Sequence, residues 1–549
     1  MHGAIVYHIY PRSLQDSNSD GIGDIPGIML RLDYLDDLGV NAIWLSPFYP
    51  SPMADFGYDV ADYCDVDPMF GTLDDFKELL NRAHKRDMKV IIDLVPNHTS
   101  DEHEWFKESK SSRDNPKSDW YIWRDPNEDA EPGTLQPPNN WRDALTGGSA
   151  WEWTPEREQY YLHSFDVKQP DLNWSNPEVR EAIKDVMRFW LDLGVDGFRV
   201  DAVYWMGKDP MMRDDTPNPD YAEGESLLYD ALMHDNSSGW PAVYSYLSEM
   251  AEVLKEEPYR KAARFMVTEA YPERHNPVAA YMAFYEAMDP KVAAPFNFEG
   301  VSLPWDASSW RHFLKEFHTA LREHSNDCIA SYAFGNHDQP RITSRLSEDI
   351  ARSAGVMLLT LPGMSFIYYG EEIGMKDGEV PPELVQDPAA KGDPLRGRGR
   401  DPQRTPMQWS ASKNAGFSAG KPWLPVADNY RTHNVNSEGT DPSSFLSIYR
   451  MLGKLRNTSD ALRHGDIDVL DIDNPDVLGY FRSDGKQTYL TLINFSDLSQ
   501  AFHSGVASAR LIVSSDPQTG LAEDIAKEVE LRPHEAALFE VEEFLDPSP

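Results

Sequence analysis

The chain has 549 residues, of which 40 % are hydrophobic and 26 % are charged, and its formal net charge is −40. A chain of this length is expected to form about two to four domains and to bury a large core. The negative charge argues against nucleic acid and anionic membrane surfaces as partners, because like charges repel each other at long range. The composition therefore fits a globular protein with a neutral ligand.

Neither the cysteine content nor the hydropathy pattern indicates a secreted or membrane protein. Cys64 and Cys328 are too few for a disulfide framework or a zinc site. The apolar run near the N-terminus is too short for a signal peptide, and no run of about eighteen apolar residues predicts a transmembrane helix. We therefore expect a cytoplasmic protein that is a monomer or a homodimer, with no nucleic-acid or membrane partner.

Apolar runs and amphipathic segments alternate through most of the chain. Several runs are almost continuously apolar, as expected for strands buried on both faces of a parallel sheet. Eight repeats of a strand and a helix predict an α/β fold, a closed (β/α)8 barrel of the TIM type. The predicted strands are residues 4–10, 41–47, 89–95, 197–203, 265–270, 295–298, 328–334 and 364–369, and the predicted helices are residues 25–38, 73–86, 177–193, 243–254, 277–287, 308–324, 347–359 and 443–455.

Two long segments lack this periodicity. Residues 99–172 follow the third predicted strand and residues 374–430 follow the eighth. Insertions of this length usually carry function, and the C-terminal ends of barrel strands form the active-site face. We therefore predict a barrel built from residues 1–98 and 173–464, with an inserted loop-rich domain at residues 99–172.

The pattern changes again near residue 465. Short β-rich stretches replace the strand–helix repeats, and Asp484-Gly485 is a hairpin turn signal. This pattern predicts a C-terminal antiparallel β-sandwich at residues 465–549. Its predicted strands are residues 477–483, 488–495, 509–514 and 536–541.

Charged and polar side chains stand at the ends of four predicted strands. Asp201, Glu269 and Asp338 each end an apolar run, Arg199 precedes Asp201, and His98 follows the third strand. Glycoside hydrolysis needs one carboxylate at the anomeric carbon and one carboxylic acid at the leaving oxygen. Singly, each acid is equally compatible with a solvated strand end. As a set on one barrel face, the three acids favour catalysis of this kind.

These segments resemble the conserved regions of the α-amylase superfamily, glycoside hydrolase family thirteen, and several of them resemble its α-glucosidase and oligo-1,6-glucosidase branch. The resemblance extends in the expected order from about residue 4 to beyond residue 430. The motifs are Asp93-Leu94-Val95-Pro96-Asn97-His98, Gln169-Pro170-Asp171-Leu172-Asn173, Gly197-Phe198-Arg199-Val200-Asp201, the segment around Glu269, Asn336-His337-Asp338, Gly370-Glu371-Glu372-Ile373-Gly374-Met375 and Arg404-Thr405-Pro406-Met407-Gln408-Trp409.

The resemblance implies a retaining mechanism. Asp201 is expected to be the nucleophile, and Glu269 the general acid and then the general base. Asp338 is expected to bind the 2- and 3-hydroxyls of the distorted sugar, and Arg199 to keep Asp201 ionised. On the basis of this resemblance, the three strand-end acids are expected to form one catalytic set.

Further residues are expected to line the sugar pocket. The resemblance implies that His98 and His337 hydrogen-bond sugar hydroxyls and that Tyr58 stacks on the sugar. Phe165 and Phe298 are candidates for the same pocket, but core packing explains each of them equally well.

An ion pair is expected to close one end of the pocket. The resemblance implies that Asp59 binds the 4-hydroxyl of the terminal glucose together with Arg400, with Arg404 as the second choice. Such a pair predicts an exo-acting enzyme that trims single glucose units, whereas an endo-acting amylase needs an open groove.

The segment Asp16-Ser17-Asn18-Ser19-Asp20-Gly21-Ile22-Gly23-Asp24 places oxygen donors at alternate positions. Hard cations prefer oxygen ligands. The position of the last EF-hand ligand is Gly27 instead of Glu, which argues against an EF-hand. The resemblance implies a structural calcium, with magnesium as an alternative, and a polar Asx turn without metal remains the other interpretation. The expected ligands are Asp16, Asn18, Asp20, the Ile22 carbonyl and Asp24.

The residue after the nucleophile bears on linkage specificity in the resembling enzymes. Valine accompanies α-1,6 preference and a smaller or polar residue accompanies α-1,4 preference. This chain has Ala202. We therefore expect maltose and short maltooligosaccharides to be better substrates than isomaltose, and no organic cofactor to take part.

Other members of the superfamily share the same parts. Transfer of glucose to an acceptor other than water proceeds through the same intermediate, and sucrose or trehalose conversion remains an alternative. No arginine-rich isomerisation signature stands near residues 295–298, which disfavours the isomerases. A non-catalytic, membrane-anchored member is a remote alternative, because this chain keeps all three acids.

Overall fold

The computed structural model describes residues 1–127, 135–270, 276–392, 394–503, 505–519 and 528–544. Its strands are β1 (Ile5–Ile9), β2 (Ala42–Leu45), β3 (Lys89–Leu94), β4 (Trp123–Arg124), β5 (Trp151–Thr154), β6 (Gln159–Leu162), β7 (Gly197–Val200), β8 (Phe265–Glu269), β9 (Ala293–Phe296), β10 (Ser331–Ala333), β11 (Met364–Tyr368), β12 (Asp466–Val469), β13 (Val477–Ser483), β14 (Thr488–Asn494), β15 (Gln500–His503), β16 (Val506–Ser514), β17 (Glu528–Leu531) and β18 (Ala536–Phe544).

The α-helices are α1 (Pro11–Leu14), α2 (Ile25–Leu38), α3 (Leu73–His84), α4 (Glu104–Ser111), α5 (Pro177–Leu193), α6 (Val203–Met206), α7 (Ala242–Lys255), α8 (Pro277–Ala287), α9 (Glu299–Ser302), α10 (Ala307–His324), α11 (Ile342–Arg345), α12 (Glu348–Thr360), α13 (Ala389–Gly392), α14 (Val435–Glu438), α15 (Phe445–Thr458) and α16 (Asp460–Arg463).

Eight parallel strands form the central sheet, in the order β10-β11-β1-β2-β3-β7-β8-β9. The strands are buried along nearly their whole length, which explains their almost continuous apolar sequence. Helices such as α3, α5 and α10 pack outside them with their apolar faces inward. The predicted TIM-type fold is therefore confirmed, together with all eight predicted strands.

A serine side chain joins the two ends of this sheet. Among the described residues, no backbone ladder connects β9 with β10. Pro295 in β9 has no N–H group to donate to such a ladder. Instead, the Ser331 hydroxyl donates to the Pro295 carbonyl at 2.9 Å and accepts the Asn297 N–H at 3.0 Å. A hydroxyl group thus replaces the missing backbone pairing and closes the barrel.

Local capping explains why the long helices begin and end where they do. Asn176 precedes α5 and accepts the Glu178 N–H at 2.8 Å, and Pro177 occupies the first helical position. Gly194 ends the helix in the left-handed conformation with φ of 111°. The chain continues from this helix into β7, which contains Arg199 and is followed directly by Asp201.

The insertion after β3 contains its own small sheet, in the order β4-β6-β5, and the helix α4. Aromatic rings form its core: the Phe106 ring stacks on the Trp123 ring at 5.7 Å, and the Tyr161 ring meets the Phe106 ring edge-on at 5.2 Å. The short strands have no long alternating pattern, so the sequence did not predict them.

The C-terminal part is antiparallel, with a five-stranded sheet β12-β13-β14-β18-β16 and a two-stranded sheet β15-β17. Buried Arg482 joins it to the barrel by donating to the carbonyl groups of Thr360 and Leu462 at 2.6 and 2.9 Å, and it also donates to the Gly465 carbonyl at 3.0 Å. Buried guanidinium groups are tolerated when carbonyl groups satisfy their donors.

Replacing Ser331 by alanine should weaken barrel closure. Ser331→Ala removes both hydrogen bonds across the seam and leaves buried polar groups unsatisfied, which should lower the free energy of unfolding by about 1–3 kcal/mol. Urea unfolding followed by tryptophan fluorescence measures the effect. Ser245→Ala is the control, because the hydroxyl of this exposed serine donates, among the described residues, to the Ala242 carbonyl within α7. It should change stability by less than about 0.5 kcal/mol. Equal midpoints for the two variants would contradict the closing role.

Candidate active site

One buried guanidinium organises the acids at the C-terminal ends of the strands. Arg199 Nη1 donates to Asp93 Oδ1 at 3.0 Å and to Asp201 Oδ1 at 2.5 Å. Its Nη2 lies 2.6 Å from Glu269 Oε1. The side chains of Arg199 and Asp93 are almost completely buried, at 2 % and 0 % exposure. Strands β3, β7 and β8 thus bring three carboxylates to one cation.

Three carboxylates around one guanidinium create a proton-sharing cluster. Burial, together with the charges of Glu269 and Asp93, raises the pKa of Asp201, and the Arg199 charge opposes this shift. Burial raises the pKa of Asp93 to about 6, again against the effect of Arg199. Like charges this close cannot all ionise without cost, so the cluster favours a bound proton. A site with both a carboxylate and a carboxylic acid is what glycosidic cleavage needs.

The backbone after Asp201 also holds Glu269. Ala202 adopts a left-handed conformation with φ of 50° and ψ of 36°, which is uncommon for a residue with a side chain. Its N–H donates to Glu269 Oε2 at 2.7 Å. Glu269 is therefore held on one oxygen by the arginine and on the other by a strained backbone position, as is typical of active sites.

Asp338 belongs to a second charge cluster at the same rim. Arg404 Nη2 donates to Asp338 Oδ1 at 2.9 Å, and Arg400 Nη1 lies 3.4 Å from the same oxygen. These guanidinium groups outweigh the effect of burial and lower the pKa of Asp338. Its side chain is 23 % exposed, compared with 11 % for Asp201 and 6 % for Glu269. Asp338 is thus an ionised acceptor that faces the open part of the site.

Tyr58 connects the two clusters through His337. The Tyr58 hydroxyl donates to Asp93 Oδ2 at 3.1 Å and lies 2.7 Å from His337 Nε2, and the two rings are parallel. Burial lowers the pKa of His337 well below its ordinary value, and burial lowers that of His98 to about 4. Both imidazoles are therefore neutral and supply hydrogen bonds without adding charge.

The two candidate phenylalanines lie in different surroundings. Phe165 is half-buried, with its ring 5.1 Å from the His98 ring and 4.9 Å from the Trp205 ring. Phe298 is buried and stacks on Phe296 at 4.7 Å within the main hydrophobic core. The structure therefore brings Phe165 next to a site histidine, whereas the contact of Phe298 with Phe296 is a core contact.

The predicted ion pair between Asp59 and Arg400 is wrong. Asp59 is fully buried, and its carboxylate accepts the Ala54 N–H at 2.8 Å, the Asp55 N–H at 3.0 Å and the hydroxyl of a nearby serine. Arg400 Nη2 instead donates to Asp55 Oδ1 at 2.5 Å. Asp59 thus fixes the fold of its own loop, and Asp55 is the acid that meets the arginine. Both acids flank Phe-Gly-Tyr, so the motif alone did not distinguish them.

Two more acids were missed as site residues. Asp93 is the first residue of the Asp93–His98 motif, and its place inside the buried strand β3 indicates a partner charge. Asp387 lies in the irregular segment 374–430 and forms two hydrogen bonds with the Arg400 side chain. The sequence offers no signal for Asp387, because the loop has no periodic pattern.

The expected metal ligands lie on one loop before α2. Asp16 and Asp24 are buried, whereas Asn18 and Asp20 are exposed. Oxygens of Asp16, Asn18 and Asp20 accept backbone N–H groups two residues further on, the last of them that of Ile22. Within the part of the chain that the structure describes, no three histidine, cysteine or acidic side chains are close enough to hold a metal ion. The donor chemistry fits a hard cation but the side-chain arrangement forms no ligand cluster, so calcium stays a prediction.

Residues 8–465 match the family model of the α-amylase catalytic domain. The chain therefore belongs to the α-amylase superfamily, glycoside hydrolase family thirteen, and is a glycosidase of the α-glucosidase branch.

Relatives of this chain cover nearly its whole length. It is 37 % identical to an oligo-1,6-glucosidase of Parageobacillus thermoglucosidasius, with 98 % of each chain covered. It is 41 % identical to a probable α-glucosidase of Rhizobium meliloti (strain 1021), with 90 % of this chain and 89 % of the relative covered. The crystal structure of an α-glucosyl transfer enzyme superimposes with a TM-score of 0.88 at 37 % identity, with 98 % of this chain and 99 % of the other covered. Among the described residues, no helix is long and apolar enough to cross a membrane.

Removing the Asp93 charge should move the pH profile of activity. In Asp93→Asn, Asp201 loses a neighbouring negative charge that raises its pKa. The pKa of Asp201 should then fall, and the acidic limb of kcat/KM should move to lower pH by on the order of one unit. A pH series with p-nitrophenyl α-glucoside measures this. The control is Asp62→Asn, an exposed acid of the Tyr58 loop. An active Asp93→Asn variant with an unmoved acidic limb would refute the shared electrostatics.

Proposed function

We propose that this chain is a retaining, exo-acting α-glucosidase that releases glucose from the non-reducing end of short α-glucosides. The observation that carries the proposal is the placement of Asp201 and Glu269 on the two terminal nitrogens of Arg199, at 2.5 and 2.6 Å. One guanidinium thereby holds two carboxyl groups close together. Retaining enzymes need such closeness, with carboxyl groups about 5–5.5 Å apart.

The reaction then follows from the hydrogen bonds of the two acids. The ionised form of Asp201 attacks the anomeric carbon, and a covalent glucosyl ester forms as the bond to the leaving oxygen breaks. Glu269 acts as the acid that protonates the departing oxygen. It next accepts a proton from the incoming water, which attacks the anomeric carbon and releases the Asp201 carboxylate. Two inversions give net retention. Asp338, ionised beside Arg404 at 2.9 Å, is suited to the 2- and 3-hydroxyls of the same sugar.

The closed end of the pocket supports exo-cleavage. Arg400 pairs with Asp55 at 2.5 Å beside Asp338, and both partners of this pair are largely buried. We assign to Asp55 the contact with the 4-hydroxyl of the terminal glucose. A buried carboxylate–guanidinium pair at this position favours a pocket that is closed at one end, so an endo-acting amylase is disfavoured.

A preference for α-1,4 over α-1,6 linkages is proposed from Ala202. The residue follows the nucleophile, is 2 % exposed, and binds the acid through its N–H. A β-branched residue at this position would carry two bulky substituents close to the leaving sugar. The proposed substrates are maltose, short maltooligosaccharides and other small α-glucosides.

A second candidate is glucosyl transfer from sucrose or another disaccharide. One similar solved structure is an α-glucosyl transfer enzyme, and another, 34 % identical with a TM-score of 0.85, is a trehalulose synthase mutant; the latter covers 98 % of this chain and 99 % of its own. The half-buried Phe165 ring contacts the Trp205 ring at 4.9 Å and the His98 ring at 5.1 Å, and we propose that this aromatic pair contributes to acceptor binding. Calcium binding, a cytoplasmic location and the monomer or homodimer state stay predictions.

A product time course tests the proposal. On maltose, isomaltose, sucrose and trehalose, we expect glucose release to be fastest from maltose, with minor transfer products. Maltoheptaose should yield glucose and maltohexaose first, with no shorter oligomers. Asp201→Asn should lower kcat by at least about 10⁴-fold, because the covalent route loses its nucleophile.

The control is Asp62→Asn, which should retain wild-type rates. Mixed short oligomers from maltoheptaose would point to endo-cleavage, isomeric disaccharides from sucrose would favour the transferase, and inactivity on every α-glucoside would reject the proposal.

The Ala202 assignment is tested by Ala202→Val. We expect the ratio of kcat/KM for isomaltose over maltose to rise by about tenfold, since one or two methyl groups are worth roughly 1–3 kcal/mol. The left-handed φ of 50° makes valine costly here, so overall stability should also fall. Ala202→Ser is the matched control for a small side chain. An unchanged isomaltose-to-maltose ratio in the valine variant would remove Ala202 from linkage control.

A further inference from the structure

Arg400 is held by a buried acid, Asp387, which does not face the pocket. Asp387 is fully buried, at 0 % exposure. Its Oδ2 accepts Arg400 Nε at 2.9 Å, and its Oδ1 accepts Arg400 Nη2 at 2.8 Å. The Arg400 backbone N–H also donates to Oδ2. Such a two-point contact fixes the plane of a guanidinium as well as its position.

The contact with Asp387 determines which N–H groups of Arg400 remain free to donate hydrogen bonds in the pocket. The Nε–H group and one N–H of Nη2 donate to Asp387. The other N–H of Nη2 donates to Asp55, with 2.5 Å between Nη2 and Oδ1, and Nη1 lies 3.4 Å from Asp338 Oδ1. The charges agree with the geometry, because the guanidinium groups of Arg400 and Arg404 outweigh burial and lower the pKa of Asp387. Asp387 is therefore ionised and stays paired with the positively charged guanidinium of Arg400.

The loop is built to keep Asp387 in this place. Asp401 Oδ2 accepts the N–H groups of Gln386 and Asp387 at 2.6 and 3.2 Å. Gly399 has φ of +60°, and a Cβ there would lie 2.4 Å from Asp387 Oδ2. The glycine is thus required by both its backbone conformation and the nearby carboxylate.

We propose that Asp387 is the positioning residue for recognition of the terminal 4-hydroxyl: it orients Arg400 so that the Asp55–Arg400 pair closes the pocket around that hydroxyl. The inference rests on the proposed function. Asp387 acts through Arg400 and does not touch the sugar. Its removal should therefore weaken discrimination for the 4-hydroxyl more than it weakens the chemistry at the anomeric carbon.

Kinetics with p-nitrophenyl α-glucoside and its 4-deoxy analogue test the proposal. We expect the wild type to prefer the glucoside by about 100-fold in kcat/KM, because a polar site rejects an analogue that leaves its groups unpaired. In Asp387→Asn this preference should fall at least tenfold, mainly through a higher KM for the glucoside, while the rate on the 4-deoxy sugar changes little.

The matched control is Asp377→Asn. Asp377 is a half-buried acid of the same segment that accepts the Arg341 N–H at 2.9 Å, and it has no contact with Arg400 among the described interactions. It should keep the wild-type preference. Gly399→Ala is the second variant, because its methyl group displaces the Asp387 carboxylate while the charge remains; it should reproduce the loss of preference if Asp387→Asn does not fold.

The outcomes separate the two proposals. Equal losses on both substrates, or an unchanged preference in Asp387→Asn and Gly399→Ala, would overturn the positioning role while leaving an active α-glucosidase. A wild-type enzyme that cleaves neither glucoside would overturn the proposed function, and the role of Asp387 with it.

Discussion

The structure depends on one buried cation that must serve three carboxylates. Arg199 is 2 % exposed and contacts Asp93, Asp201 and Glu269 within 3.0 Å. A buried charge is stable only when it is paired, and the removal of one partner leaves the others uncompensated. The barrel meets this condition because adjacent parallel strands end at the same rim. The contacts of Arg199 therefore fix the catalytic geometry and at the same time stabilise the barrel interior.

A second charge cluster gives the site its shape. Arg400 and Arg404 bind Asp338, and Arg400 also binds Asp55 and Asp387. The first cluster comes from regular strands, whereas the second comes from loops that follow β2, β10 and β11. Loops on a rigid scaffold change without loss of the fold, so specificity is expected to reside there. Tyr58 and His337 connect the two clusters, because Tyr58 contacts Asp93 and His337 Nε2 lies 3.3 Å from Asp338 Oδ2.

The sequence predicted the regular parts of the molecule well, because periodicity and caps are local signals. The helices 25–38, 177–193 and 277–287 agree with α2, α5 and α8 at both ends, and Asn176 and Gly194 mark the limits of one of them. The sequence did not identify Asp55, because two acids flank the same tripeptide and only the folded loop decides between them. Nor did it predict the seam at Ser331, since that pairing depends on which strands become the edges. Long-range partners of this kind carry no local pattern.

Two neutral imidazoles complete a site in which the charged side chains are already paired with one another. His98 and His337 are buried and uncharged, because desolvation lowers their pKa values. A positive charge on either imidazole would compete with Arg199 and Arg400 for the same carboxylates. A sugar carries uncharged hydroxyl groups and ether oxygens, and neutral side chains exchange hydrogen bonds with it without an uncompensated charge being left behind. The division between paired charges and neutral hydrogen-bonding groups gives this strongly acidic chain a candidate site that is suited to an uncharged ligand.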